Sequence, residues 1–310
     1  EVLEQLLTSP DGIYVDGTVG TGGHSEGLCG AISPHGMLIG LDKDEEAIRI
    51  SSERLSSSGC RVRLFKENYS RLERVLKHLG IARVNGVLLD LGMSSFQLES
   101  SGRGFSFSRN EPLDMRMDLD EDLTAASLIN GLSVQELEKI LRSYGEERRA
   151  KAVSRAIVRE RAKTPIDSSL RLANLIVSVL RKSHKPQARH PATRTFQALR
   201  IAVNRELETL QAFLENIPSL LLPGGRLVVV SYHSLEDRMV KQAMIDWEGG
   251  CRCPHEFPVC RCGRASVMRR VHKKGIKPIP AEKEDNPRAR SAILRTAERI
   301  WGHDQSDQSI

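Results

Sequence analysis

Aromatic residues are scarce in this chain of 310 residues: seven Phe, four Tyr and two Trp, or 4% in all. A platform for stacking single-stranded bases is therefore poorly supplied. No apolar run approaches the roughly eighteen residues of a transmembrane candidate, which excludes a membrane-spanning helix. The opening Glu1-Val2-Leu3-Glu4 has neither the basic nor the apolar region of a signal peptide, so a cytoplasmic location is expected. It also lacks Met, so a longer natural chain is expected. Internal repeats are absent. None of the six cysteines forms the C-x2-C knuckle of common zinc sites. Cys29 and Cys60 stand alone and read as small buried hydrophobes. Cys251, Cys253, Cys260 and Cys262 form C-x-C-x6-C-x-C, which reads as a reduced or redox-labile loop, with a tetrahedral zinc site as the lesser alternative and no metal assigned.

Charge is present in both signs, 46 Lys and Arg against 40 Asp and Glu, for a net +6. Basic residues cluster twice: Arg181, Lys182, Lys185, Arg189 and Arg194 with His184 and His190, then Arg261, Arg264, Arg269, Arg270, Lys273, Lys274 and Lys277. Each is either a solvated face or a contact for a polyanion.

The first third alternates strand and helix signals. Apolar runs at Ile13–Asp16, Met37–Asp42, Val62–Phe65 and Val87–Leu91 read as strands. Asp44–Leu55 and a Ser70-x-x-Glu73 box opening a helix to Leu79 read as the helices between them. Continuous apolar strands separated by helices predict an α/β doubly wound parallel sheet. From Leu98 to Pro191 only helix signals occur. They include a box at Ser133-x-x-Glu136 with a stop at Gly145, a charged helix from Glu146 to Lys163, and another from Asp167 to Lys182. The sheet then resumes. Phe196, Leu199, Val203, Leu207, Leu210, Leu214 and Ile217 read as the stripe of one long helix, with room for a homodimer. Leu227–Tyr232 reads as a strand, Ser234–Trp247 as a helix and Ser291–Arg299 as a last strand. The predicted division is a sheet domain of residues 1–97 and 192–301, a helical insertion at 98–191, and a disordered tail at 302–310.

The strand ending in Asp16 runs into Gly17-Thr18-Val19-Gly20-Thr21-Gly22-Gly23, a turn that lets backbone approach a nucleotide-sized ligand. Asp42 closes the next strand, where a carboxylate accepts both ribose hydroxyls of an adenosine. A dinucleotide and S-adenosylmethionine both suit this pattern. An acid at Asp16 repels a pyrophosphate but helps to orient a cationic amino-acid end, which favours the methyl donor. After the fourth strand comes Asp90-Leu91-Gly92-Met93-Ser94-Ser95. Asp90, Ser94 and Ser95 are candidate acceptors for the hydrogens of an exocyclic amine, and equally candidate cofactor contacts or loop-bracing groups. A nicotinamide-dependent dehydrogenase and a non-catalytic RNA-binding protein are the competing readings. DNA in place of RNA is not separated from them by composition.

Several strings carry a family likeness: Asp16-Gly17-Thr18-Val19-Gly20-Thr21-Gly22-Gly23-His24-Ser25, Leu89-Asp90-Leu91-Gly92-Met93-Ser94-Ser95 with Gln97, Arg103-Gly104-Phe105-Ser106-Phe107, Pro112 to Asp118, Tyr144-Gly145-Glu146-Glu147, His190 to Ala198, Pro223 to Arg238, and Asn286 to Ser291. In their order they resemble the cytosine-N4 methyltransferases of small-subunit ribosomal RNA (the RsmH or MraW family), over nearly the whole chain. The resemblance implies a class I methyltransferase fold with an inserted helical domain for substrate recognition. It implies S-adenosylmethionine as cofactor and methyl transfer to the N4 of a cytidine in the decoding region, with the small ribosomal subunit or its RNA as partner. By motif position Gly20, Gly22, Gly23, His24, Asp42, Tyr69, Asp90 and Gln97 are expected to contact the cofactor. Asp90, Ser94, Ser95 and His233 are the catalytic candidates. Tyr232 is placed to stack on the base, and the basic runs to hold RNA phosphates.

Overall fold

The computed structural model describes residues 1–180, 190–249 and 265–300. The chain divides into two compact units, Glu1–Gly92 with Glu208–Ile310, and Met93–Leu207. Among the described residues no helix is long and apolar enough to cross a membrane.

The first unit is built on a seven-stranded sheet. Its strands are β1 (Ile13–Asp16), β2 (Met37–Asp42), β3 (Arg61–Lys66), β4 (Val84–Asp90), β5 (Leu221–Ser231), β6 (Met268–Arg270) and β7 (Ile293–Arg299). The order is β3-β2-β1-β4-β5-β7-β6. The first five run parallel, while β7 is antiparallel to both β5 and β6. The helices of this unit are α1 (Val2–Leu6), α2 (Gly23–Ala31), α3 (Glu45–Leu55), α4 (Leu72–His78), α11 (Glu206–Leu220), α12 (Ser234–Trp247) and α13 (Pro280–Asp285). Central strands buried on both faces need unbroken apolar sequence, and Val87, Leu88 and Leu89 are all fully buried. One core cluster joins Val15, Ile39 and Leu89 to Phe213 and Ile217 of α11, and another joins Leu38 and Leu88 to Leu28 of α2.

The second unit is helical, with α5 (Ser95–Glu99), α6 (Ala125–Gly131), α7 (Val134–Gly145), α8 (Ala150–Arg161), α9 (Ser169–Leu180) and α10 (Thr193–Asn204). Apart from an isolated bridge between Pro112 and Ser168, its described residues contain no strand. Leu137 and Leu141, Val153 and Ile157, Leu172 and Ile176, and Leu199 and Val203 fill its core at helical spacing. The Ser133–Glu136 capping box forms as the spacing predicts. Gly145 lets α7 approach α10 closely, since a Cβ there would lie 2.5 Å from the Arg194 carbonyl.

Several expectations need correction. The long helix is two: α10 ends at Arg205, which takes the left-handed conformation at φ 48°. Arg200 spans the break with two 2.8 Å hydrogen bonds to Glu206. Residues six apart lie on different faces of a continuous helix, so this pair requires the turn. The apolar stripe is also used up inside the chain, with Leu199 and Val203 in the helical core and Leu210, Leu214 and Ile217 beneath the sheet. At Ser70 no capping box forms. Asn68 accepts the Ser70 N–H instead, and a 3-10 turn at Tyr69–Arg71 leads into α4. Cys29 and Cys60 are joined as a disulfide with Cα atoms 5.3 Å apart, a pairing their separation of 31 residues conceals. Finally, β6 lies inside the stretch read only as a basic run. The cysteines 251, 253, 260 and 262 and the tail 302–310 fall outside the described residues.

Candidate active site at the strand ends and a basic helical surface

Three adjacent strands, β2, β1 and β4, each end in aspartate, so Asp42, Asp16 and Asp90 stand along one edge of the sheet. In doubly wound sheets ligands collect at this carboxyl end.

Asp16 is only 1% exposed. One carboxylate oxygen accepts the Ser25 hydroxyl at 2.7 Å and the other the Thr18 N–H at 3.2 Å. Burial pushes its pKa up, against the lowering effect of Ser25 and His24. The expectation that Asp16 faces a cationic ligand end is therefore corrected. It braces the glycine loop from within. Between β1 and α2 the chain turns through Gly20 at φ 50° and Gly22 at φ 82°, a region most side chains avoid. The Gly20 N–H donates to Asp42 Oδ2 at 2.9 Å, and the Asp44 N–H to Asp42 Oδ1 at 2.9 Å. Asp42 is half-buried, and burial raises its pKa to about 6. Gly23 opens α2, whose start at Gly22 is capped by no side chain.

Asp90 is gripped from both sides. The Tyr232 hydroxyl donates to Oδ1 at 2.9 Å, and His24 Nε2 lies 3.4 Å from Oδ2. Its own N–H donates to Thr18 Oγ1 at 2.7 Å. The hydrogen bond to Asp90 raises the pKa of His24 despite partial burial. Burial, then the Asp90 charge, keep the Tyr232 phenol far from ionising. Tyr69 packs against the core, its ring edge-on to Phe213 at 5.5 Å.

His233 turns out to be the N-cap of α12. Its Nδ1 accepts the Glu236 N–H at 3.4 Å, and Glu236 returns the bond to the His233 N–H. His233 Nε2 is buried and makes no hydrogen bond, although Glu236 Oε1 is 3.1 Å away. The cap of this helix is thus the residue just before Ser234, where the sequence pattern starts it. In the other unit Ser94 is the N-cap of α5 and shares a capping box with Gln97, while Ser95 is the first residue of that helix.

The structure pairs His24 with Asp90 and Gly20 with Asp42. Missed were Thr18 and Ser25, whose hydroxyls look like ordinary turn residues, and the hydroxyl bond from Tyr232, which long-range pairing across 142 residues hides.

Basic side chains sort differently. In the second run Arg269 pairs with Glu298 at 2.7 Å and Arg270 with Glu248 at 2.6 Å, leaving Lys273, Lys274 and Lys277 exposed. Most of the first run, including Arg181, Lys182, His184, Lys185 and Arg189, lies outside the described residues; Arg261 and Arg264 of the second do too. A surface that no run in the sequence singles out is on α8. Lys151, Arg155 and Arg159, spaced by four, are exposed on one face, and none has an ion-pair partner among the described residues. Residues 93–207 carry 20 basic against 14 acidic side chains, while the remainder of the chain carries 26 of each. The whole net charge of +6 thus resides in the helical unit.

The sheet order with its antiparallel β7, the glycine turn after β1 and the acidic end of β2 together define a class I methyltransferase. Over residues 1–300 the sequence matches the MraW methylase family, and the chain belongs to that family. It is 47% identical over 300 residues to the ribosomal RNA small subunit methyltransferase H of Syntrophotalea carbinolica, covering 97% of this chain and 96% of that protein. To the protein of the same name from Pelobacter propionicus it is 48% identical over 301 residues, again covering 97% and 96%. Among solved structures, an rRNA methylase from Streptococcus thermophilus superposes with a TM-score of 0.43 at 13% identity, over 97% of this chain and 92% of that one. That likeness is too loose to carry any assignment.

Proposed function

We propose that this protein transfers a methyl group from S-adenosylmethionine to the exocyclic N4 of a cytidine in the decoding region of small-subunit ribosomal RNA, in the cytoplasm. The observation that carries this reading is the family match across residues 1–300, with full-length relatives named for methylation of that RNA.

The residues present fit the cofactor. The start of α2 has no side-chain cap, so its first N–H groups are open to a carboxylate. A Cβ at Gly23 would meet nothing nearer than Arg54 Nη1 at 3.9 Å, so the backbone there is approachable. Asp42 is an acceptor for ribose hydroxyls at the end of β2. Gly20, Gly22, Gly23, His24, Asp42, Tyr69, Asp90 and Gln97 are the proposed cofactor contacts. When bound, S-adenosylmethionine supplies an electrophilic methyl on a sulfonium.

Asp90 is the proposed acceptor for the amine hydrogens. An N–H bonded to its carboxylate turns the nitrogen lone pair out of ring conjugation and holds the amine in place. Tyr232 and His24 fix both oxygens of that carboxylate, so the acceptor is oriented before substrate arrives. Once the new bond has formed the amine is cationic and acidic and gives its proton to water, so no strong base is required. Ser94, Ser95 and His233 complete the proposed catalytic set. The helical unit is the proposed RNA-recognising domain, its basic face holding phosphates without reading sequence.

The test is methyl transfer from isotope-labelled S-adenosylmethionine to small subunits from cells lacking the modification, followed by nucleoside mass spectrometry. Label in N4-methylcytidine is the expected result. Label in another nucleoside, or none at all, overturns the assignment.

A further inference from the structure

With 4% aromatics the chain has little material for stacking, yet the helical unit gathers three rings into one surface feature. The His190 imidazole lies parallel to the Phe107 ring, with centroids 4.3 Å apart and planes within 4°. Phe107 is in turn supported edge-on by Phe196, at 5.8 Å and 88°, and Phe196 is buried in the unit's core. His190 itself is exposed. Its orientation is fixed, because Nδ1 accepts the Ala192 N–H at 3.3 Å at the entrance to α10, and its carbonyl accepts the Thr193 N–H at 3.0 Å. The imidazole thus has one face on Phe107 and presents the other to solvent, anchored to the core through two aromatic layers.

A rigid, solvent-facing π surface on a basic body has the attributes of a base-stacking platform. Arg109, half-exposed two residues beyond Phe107 and 4.0 Å from Glu111, and Arg194, exposed in the first turn of α10, stand on the same two segments. Arg194 spends one donor on the Glu146 carbonyl, at 3.2 Å, and a guanidinium has five. By sequence, residues 93–207 hold the whole positive excess of the chain, and the row of three exposed cations on α8 is part of it. That charge favours a nucleic acid over an aromatic peptide as the occupant.

We propose that the outward face of His190, backed by Phe107 and Phe196, is a stacking site for an unpaired nucleobase of the RNA substrate. This rests on the reading that the chain acts on ribosomal RNA for the identity of its partner. Proteins that read single-stranded RNA stack splayed bases on aromatic rings, and imidazole serves as such a ring. A base displaced from its neighbours by the enzyme, whether the target or one flanking it, gains a replacement stacking partner here.

The experiment compares the full-length protein with His190→Ala and His190→Phe. Two readouts are used: KM and kcat for small subunits, and fluorescence quenching of a short single-stranded RNA containing 2-aminopurine. His190→Ala is expected to raise KM on the order of tenfold and to lose most of the quenching, with kcat and S-adenosylmethionine affinity little changed. His190→Phe keeps a ring but loses the Nδ1 bond to Ala192, and is expected to restore both readouts. Unchanged KM and quenching in His190→Ala overturn the proposal, as does a His190→Phe protein as impaired as the alanine variant. If the wild type methylates no subunit yet quenches the probe in a His190-dependent way, the stacking site stands and the assigned reaction falls. Robust methylation indifferent to His190 leaves the reaction in place and removes the stacking site.

Discussion

At the strand ends of the sheet unit the carboxylates look inward. Asp16 is occupied by Ser25 and Thr18, Asp42 by the N–H groups of Gly20 and Asp44, and Asp90 by Tyr232 with His24 beside it. On the helical unit the charges look outward, with Lys151, Arg155 and Arg159 in a row and no counter-ion among the described residues. The first arrangement costs desolvation and returns fixed geometry, which suits a ligand whose atoms must be placed to within a fraction of an ångström. The second keeps its cations hydrated and adaptable, which suits a backbone recognised by charge alone. Charge balance in one unit and a net +6 in the other express the same division.

The comparison breaks most visibly at Asp90. Asp90→Asn keeps the size of the side chain and removes its charge, and kcat is expected to fall about a hundredfold or more in the subunit assay. The salt dependence of RNA binding should stay as in the wild type. A large change in that dependence would merge the two surfaces that the comparison separates.

Asp42→Asn is expected to weaken S-adenosylmethionine roughly ten- to a hundredfold by calorimetry, the worth of hydrogen bonds to a charged acceptor. Because the pKa of Asp42 is raised to about 6, wild-type affinity should decline as pH is lowered through that value, and the variant should lose this part of the decline. Stability moves the opposite way. The folded state holds the Asp42 proton more tightly than the unfolded chain does, so this contribution to stability is fully present below the ordinary value of 3.8 and is lost as pH rises from there through about 6. Cofactor-free melting of wild type against variant reads that sign directly.

Tyr232→Phe sharpens the picture of a pre-oriented acceptor. It deletes one 2.9 Å bond and leaves the ring, so kcat should drop about tenfold with cofactor affinity nearly unchanged. The smallest effect belongs to the outward charges. Arg155→Ala is expected to lower the slope of log affinity against log salt by about one, with a modest loss of affinity and no change in kcat. Arg269→Ala, by contrast, removes a side chain already paired with Glu298 and should alter that slope less.

Much of the fold was legible because it follows from local rules. The run Val87-Leu88-Leu89 between helix signals reads as a strand buried on both sides, and Ser133 with Glu136 writes its own helix start. The single long helix from Phe196 to Ile217 was misread because apolar periodicity continues through a break. Periodicity records which residues are buried, and here they are buried in two different cores. Likewise, the spacing from Gly20 to Asp42 announces an adenosine site, but nothing near Asp16 in the sequence says that its carboxylate is spent on Ser25.

By itself, then, the sequence determined the alternation of strands and helices, the aspartates that end β1, β2 and β4, and the family to which the chain belongs. These depend on residue type and on spacing along the chain. Tertiary structure alone decided which carboxylate stays available, that Tyr232 reaches Asp90 across 142 residues, that Cys29 meets Cys60, and that His190 lies flat on Phe107. Each of those depends on the direction in which a side chain points once distant segments have packed, and no local pattern encodes that direction.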